Sequence, residues 1–165
     1  MNPPTATGSP QPQGSRPFHA NTRMDIWDAL EACLPSGWGC VSGVACGTEP
    51  VEHAPDLAVI PAAAAAENRD AYPAELVALV VEVIDPGSET DDYEVKDRAY
   101  ARRGIPHYLI FDPYKAQCTT LWNPGPDGYR GRDVIPYGGT VVVESGLGKL
   151  SVDTAGLRVD PSAVS

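Results

Sequence analysis

The sequence predicts an α/β domain in which a mixed β-sheet is flanked by helices. Three observations carry that expectation. The run "ELVALVVEVID" (75–85) is apolar on both parities, as a strand covered on both faces must be. A helical segment, "TDDYEVKDRAYARRG", follows, and then a second apolar strand, "HYLIFDP" (107–113). Such a crossover makes the two strands parallel and the connection right-handed. Further β-like segments on either side of this unit make the sheet mixed.

Taken in order, residues 1–17, "MNPPTATGSPQPQGSRP", bury too little apolar surface to offset ordering and read as a disordered tail. They also lack the charged start and apolar block of a secretory signal. In "TRMDIWDALEACL" (22–34), Met24, Trp27, Leu30 and Leu34 recur at helical spacing. Asn21 or Thr22 is the expected N-cap, and Pro35-Ser36-Gly37 the stop. "GWGCVSGVAC" (37–46) is β-like, and "PDLAVIP" (55–61) is a short strand opened by a proline. Ala62 to Ala66 suit either a short helix or a loop. Pro86-Gly87 stops the strand at 75–85. In the following helix Asp91 reads as an N-cap, with Glu94 in capping-box position. Arg102 and Arg103 suit the negative helix end, and Gly104 the left-handed cap. "QCTTLW" (117–122) is a strand, 123–139 a turn-rich hairpin loop, and "TVVVES" (140–145) a last strand. The domain is expected over 18–155, with a C-terminal tail at 156–165.

At 165 residues the chain suits one domain with one core. No apolar run reaches membrane-spanning length, and cytoplasmic residence is the default expectation. Cys33, Cys40, Cys46 and Cys118 form no CxxC pair, which favours buried reduced thiols over structural zinc. The net charge of −10 argues against a general nucleic-acid binder and suits either a solubility-driven surface or acids gathered around a metal.

Glu82 is the anomaly. It lies in the most apolar run, where an uncompensated charge costs several kcal/mol. Asp56 begins one core strand and Glu82 lies near the end of the next. If those strands are antiparallel neighbours, the two carboxylates converge at one mouth of the sheet. Together with a backbone carbonyl and waters they would suit Mg²⁺ (or Mn²⁺). Lys96, on the following helix, shares a face with Ala99, Tyr100 and Arg103, and the small Ala99 lets that face approach the sheet. Its ammonium could orient an attacking water and stabilise charge on a phosphate. Asp85 reads as a turn residue, His107 as structural, Tyr100 and Trp122 as packing. His19 and His53 sit in loop-like contexts without further signal. Arg98, Arg102, Arg103, Arg130 and Arg132 are candidates for a phosphate-binding surface.

Pro55-Asp56 followed by Glu82-Val83-Ile84 resembles the PD-(D/E)XK, restriction-endonuclease-like superfamily. Its common form carries lysine at position 84. With Ile84 there and Lys96 on the next helix, the chain looks more like the Uma-type restriction-endonuclease family. Pro86-Gly87-Ser88, Asp91-Asp92, Lys96, Tyr100, Gly104-Ile105-Pro106 and Asp112-Pro113 are similar to that family's order, as is "FHANTRMDIWDALEACLPSGW" to its first helix. The resemblance, over 18–155, implies a restriction-endonuclease-like fold and metal-dependent endonuclease cleavage of nucleic acid, DNA foremost. Asp56, Glu82 and the Val83 carbonyl would hold the metal, Lys96 would position the water, and cleavage of a duplex suggests a homodimer. Family members usually open with an extra hairpin bearing a Glu-containing segment, which the tail here does not match. Glu31 and Asp28 are the local acids that could stand in for it. If that contact is required, the alternative is a degenerate nuclease fold kept as a binding or regulatory module. A hydrolase of small phosphate esters is a third reading.

Overall fold

The computed structural model describes residues 17–47 and 54–161. Residues 1–16, most of the expected tail, and His53 lie outside them.

Helix α1 (Pro17–Cys33) starts five residues earlier than the cap assignment implied, so Thr22 is an interior, buried residue and not a cap. Its buried face is His19, Thr22, Ile26 and Leu30, a 3-4-4 spacing offset from the expected stripe. Met24, placed in that stripe, is 61% exposed. After α1 come β1 (Trp38–Val41), β2 (Ala45–Cys46), β3 (Leu57–Pro61), α2 (Ala62–Ala65) and β4 (Ala71–Tyr72). The alanine run is thus a helical turn. Strand β5 (Leu79–Val83) is shorter than expected, because 74–76 form a 3₁₀ turn ahead of it. Helix α3 (Lys96–Arg102) is entered through a widened π turn, Asp91–Val95. Helical backbone begins at Glu89, so the Asp91 cap is not formed. Arg103 is the last right-handed residue and Gly104 takes φ +75°, the left-handed conformation that glycine adopts without a Cβ clash.

Strands β6 (His107–Asp112), β7 (Gln117–Gly125), β8 (Gly128–Pro136), β9 (Thr140–Ser145) and β10 (Gly148–Asp153) complete the chain. The main sheet has the order β1-β3-β5-β6-β7-β8. Strands β5 and β6 are parallel, as the helical crossover requires, and the other neighbours are antiparallel. A β9–β10 hairpin and a β2–β4 ribbon stand apart.

The segment 123–139 is not a loop. Strand β7 continues to Gly125 and β8 returns from Gly128, leaving Pro126-Asp127 at the turn. One of its glycines serves packing: the Trp122 indole lies over Gly131, and a β-carbon there would collide with ring atoms Cε2, Nε1 and Cδ2. Strand β10, absent from the sequence reading, pairs with β9 through a short turn.

Strand β5 is buried throughout, and its two parities feed two cores. Leu79, Val81 and Val83 pack with Ile26 and Leu30 of α1 and with the β9–β10 hairpin. Val80 and Ile84 pack with Tyr100, Ile105 and Tyr108 on the α3 side. Each fully buried aliphatic side chain contributes about 1.5–3 kcal/mol, which explains why both parities had to be apolar. Leu157, past β10, joins the first core. Cys40, Cys46 and Cys118 are buried and Cys33 half-buried, all as free thiols. Among the described residues no helix is long and apolar enough to cross a membrane.

Candidate active site

The antiparallel register of β3 with β5 pairs Leu57 with Val81 and Ala58 with Val80. Just beyond the last pair, Asp56 comes within hydrogen-bonding reach of the Glu82 side chain near the end of β5. The condition on which the acid pair depended is therefore met. Val83 N donates to Asp56 Oδ2 at 2.7 Å. Within a strand, a residue's N–H and C=O point to the same side, so the Val83 carbonyl also faces this mouth. Asp56 thus takes the Val83 amide where the strand pairing has ended, and Pro55 before it has no N–H to extend the ladder.

Helix α3 brings the third group. Lys96 Nζ lies 3.0 Å from Glu82 Oε1 and 2.9 Å from Asp92 Oδ1. Tyr100 OH donates to Glu82 Oε1 at 2.8 Å, so the two residues expected on one helical face both reach Glu82. Asp92 is itself anchored, because Ser88 Oγ donates to its Oδ2 at 2.9 Å and Tyr108 OH to its carbonyl at 2.7 Å. Lys96 is not a solvated helix lysine; its side chain is only 14% exposed. The π turn lies directly ahead of it, in a position where such widened turns recur at functional sites.

His19, read from sequence as a loop residue without signal, is instead a buried α1 residue on the opposite side of the mouth. Its Nε2 lies 3.2 Å from Asp56 Oδ2 and 3.6 Å from Asp85 Oδ2. Neither acid suggested as a stand-in from the first helix reaches the site. Glu31 Oε1 accepts the Cys40 amide at 2.8 Å, and Asp28 is exposed. Asp85 has the turn role expected of it: its amide donates to Ser88 Oγ at 2.9 Å, and that hydroxyl donates back to the Asp85 carbonyl at 3.0 Å. His107 lies in β6, away from the mouth.

The electrostatics follow from crowding three acids together with one lysine held against two of them, Glu82 and Asp92. Burial, then the Asp56 charge, push the Glu82 carboxyl well above the usual range, against the pull of Lys96. Burial also raises Asp92, and Lys96 and Ser88 offset only part of that. Burial would raise Asp56 as well, but the hydrogen bond and charge of His19, the Val83 amide and a hydrogen bond with Glu82 hold it below its ordinary value. Burial works against the Lys96 ammonium, yet Glu82 and Asp92 outweigh it and hold the group above the normal lysine range. Lys96 is therefore a fixed cation at neutral pH and no general base.

Two carboxylates and a facing carbonyl are a hard-oxygen donor set that Mg²⁺ accepts when water completes its octahedron. Burial and the neighbouring Asp56 charge both disfavour the ionised Glu82 carboxyl, and a divalent ion would relieve that. Among the described residues no group of three His, Cys, Asp or Glu surrounds a single point, so protein side chains would supply a minority of the ligands. Of the remaining basic residues, Arg98, Arg102, Arg130 and Arg132 are exposed and Arg103 half-buried.

A mixed sheet whose acid pair and helix-borne lysine meet at the end of a parallel strand defines a class before it defines a family. The structure of a protein from Anabaena variabilis ATCC 29413, described as "a putative nuclease belonging to DUF820", superposes with a TM-score of 0.59 at 12% identity, over 78% of this chain and 73% of that one. The fold is restriction-endonuclease-like. The sequence matches the family Uma2, described as "Putative restriction endonuclease", over residues 7–155, and the chain belongs to that family. No curated protein matches it.

Proposed function

We propose that this chain is a Mg²⁺- or Mn²⁺-dependent endonuclease that hydrolyses phosphodiester bonds of nucleic acid, with DNA as its substrate. The observation that carries this reading is the meeting of Asp56, Glu82 and Lys96 at one mouth of the sheet. Asp56, Glu82 and the Val83 carbonyl would hold the ion. When bound, it supplies a water of lowered pKa and polarises the phosphoryl oxygen. The protein's own groups have separable tasks. His19 and the Val83 amide fix the Asp56 carboxylate. Tyr100 fixes Glu82. Lys96, held by Asp92, presents a permanent positive charge that orients the water and stabilises charge growing on the phosphate. Nuclease function is also what the family and the structural neighbour suggest. Two such sites in a homodimer would allow both strands of a duplex to be cut.

The test is cleavage of plasmid DNA, RNA and nucleotides with and without Mg²⁺ or Mn²⁺. Metal-dependent DNA cleavage is expected to disappear in Asp56→Asn and Glu82→Ala while the folded state persists. Retained cleavage in either variant contradicts the assignment. A second reading, a nuclease fold kept as a binding module, is favoured by the sparse side-chain ligand set and the net charge of −10. Calorimetric titration with Mn²⁺ separates the two: the enzyme reading requires saturable binding that Asp56→Asn abolishes.

A further inference from the structure

An apolar cavity lies at the opposite end of the sheet from the acidic mouth. Strands β5 and β6 are parallel, and Glu82 is at the end of one while His107 is at the start of the other. His107 pairs across the sheet with Trp122, and Trp122 with Gly131. Over this row and beneath β9 is a cavity of about 320 Å³. Its apolar walls are Leu109, Trp122, Ile135 and Val142, and its carboxylates are Asp133 and Glu144.

Three features make this a site with a definite chemistry. The first is a platform. The Trp122 indole rests on Gly131, which has no β-carbon to displace it, and its remaining surface lines the cavity at 41% exposure. A large aromatic ring left this open is unusual in a chain that buries Tyr100, Tyr108 and Phe111 completely. The second is charge. Among the described residues, no lysine or arginine lines the cavity. Burial lowers the pKa of His107, so its imidazole is neutral at pH 7 and cannot balance the acids. Asp133 has one oxygen on the Val134 amide at 3.0 Å, and among the described residues Glu144 has a loose, exposed partner in Lys149 at 3.7 Å. The third is size: the volume is at the small end of ligand pockets and accommodates a single ring.

We propose that this cavity binds a small organic cation carrying a planar ring or amidine group, with the ring stacked on Trp122 and the charge directed at Asp133 and Glu144. A ring face and nearby carboxylates act together on such a cation. A phosphate-bearing ligand would meet only negative charge here. The site is independent of the metal mouth and takes no part in the proposed cleavage.

The probe is benzamidine, titrated into the ¹⁵N-labelled full chain while the indole N–H signals are followed; Trp122→Phe assigns the relevant one. Benzamidine is expected to shift the Trp122 signal saturably and leave those of Trp27 and Trp38 in place. Benzoate, of similar shape and opposite charge, is expected to shift nothing. The double variant Asp133→Asn/Glu144→Gln, altered only at exposed side chains, is expected to weaken benzamidine binding at least about fivefold. No saturable shift at Trp122, an equal response to benzoate, or undiminished affinity in the double variant would each overturn the proposal.

Discussion

Lys96 shows how much one side chain can hold in place. Two buried acids face it, Glu82 and Asp92, and each is further tied to a hydroxyl. Replacing the ammonium by an apolar group of similar length leaves both acids buried without their counter-charge. Breaking a buried pair in this way typically costs about 3–5 kcal/mol, far more than the 0–1 kcal/mol of a surface pair. Lys96→Met is therefore expected to lower the unfolding free energy by an amount in the buried range, read by urea denaturation at pH 7. The further substitution Glu82→Gln should restore part of it. A loss under about 1 kcal/mol would mean that the cluster is solvated. The same residues mark what a sequence can reveal. Asp56, Glu82 and Lys96 were visible because each is polar in a context that should not be, and family order joined them. His19 and Asp92 were not. The signal for His19 was present as the 19-22-26-30 spacing, but an N-cap at Asn21 or Thr22 places His19 outside the helix. Asp92 lies four residues before Lys96, where an acid is so common that burial alone distinguishes it.

At the level of elements, the crossover was legible because β5 and β6 are apolar on both parities and the helix between them ends in an unambiguous glycine. The β7–β8 hairpin was not. Its three glycines and three prolines look like turn chemistry, yet only two residues form the turn. Gly131 is there because the Trp122 ring on the neighbouring strand occupies the space of its β-carbon. Period-2 reasoning treats glycine as punctuation and cannot see a cross-strand collision. Gly131→Ala should consequently destabilise the fold by about 1–3 kcal/mol, the usual cost of overpacking. In a Trp122→Ala background the same substitution should cost a few tenths at most. Equal costs in the two backgrounds, measured by thermal or urea unfolding, would show that the glycine is needed for backbone freedom and not for the ring. Strand β10 escaped notice for a related reason: "GKLSVD" places only Leu150 and Val152 inward, and two apolar residues at period 2 are too few to stand out.

On the scale of the whole molecule, three elements from distant parts of the chain meet at one end of the sheet. Helix α1 supplies His19, the β3–β5 pair supplies the acids and the Val83 carbonyl, and α3 supplies Lys96. The net charge of −10 looked like an argument against a nucleic-acid enzyme. Much of its local meaning changes once Asp56, Glu82 and Asp92 are found at one mouth with Lys96 against the last two, where a divalent ion would offset them. The direct test is a crystal equilibrated with Mn²⁺ and measured at a wavelength where manganese scatters anomalously. This account predicts an anomalous peak in bonding contact with the carboxylates of Asp56 and Glu82, absent from Asp56→Asn crystals. Saturating Mn²⁺ with no peak at that mouth, or a peak that persists in Asp56→Asn, would contradict it.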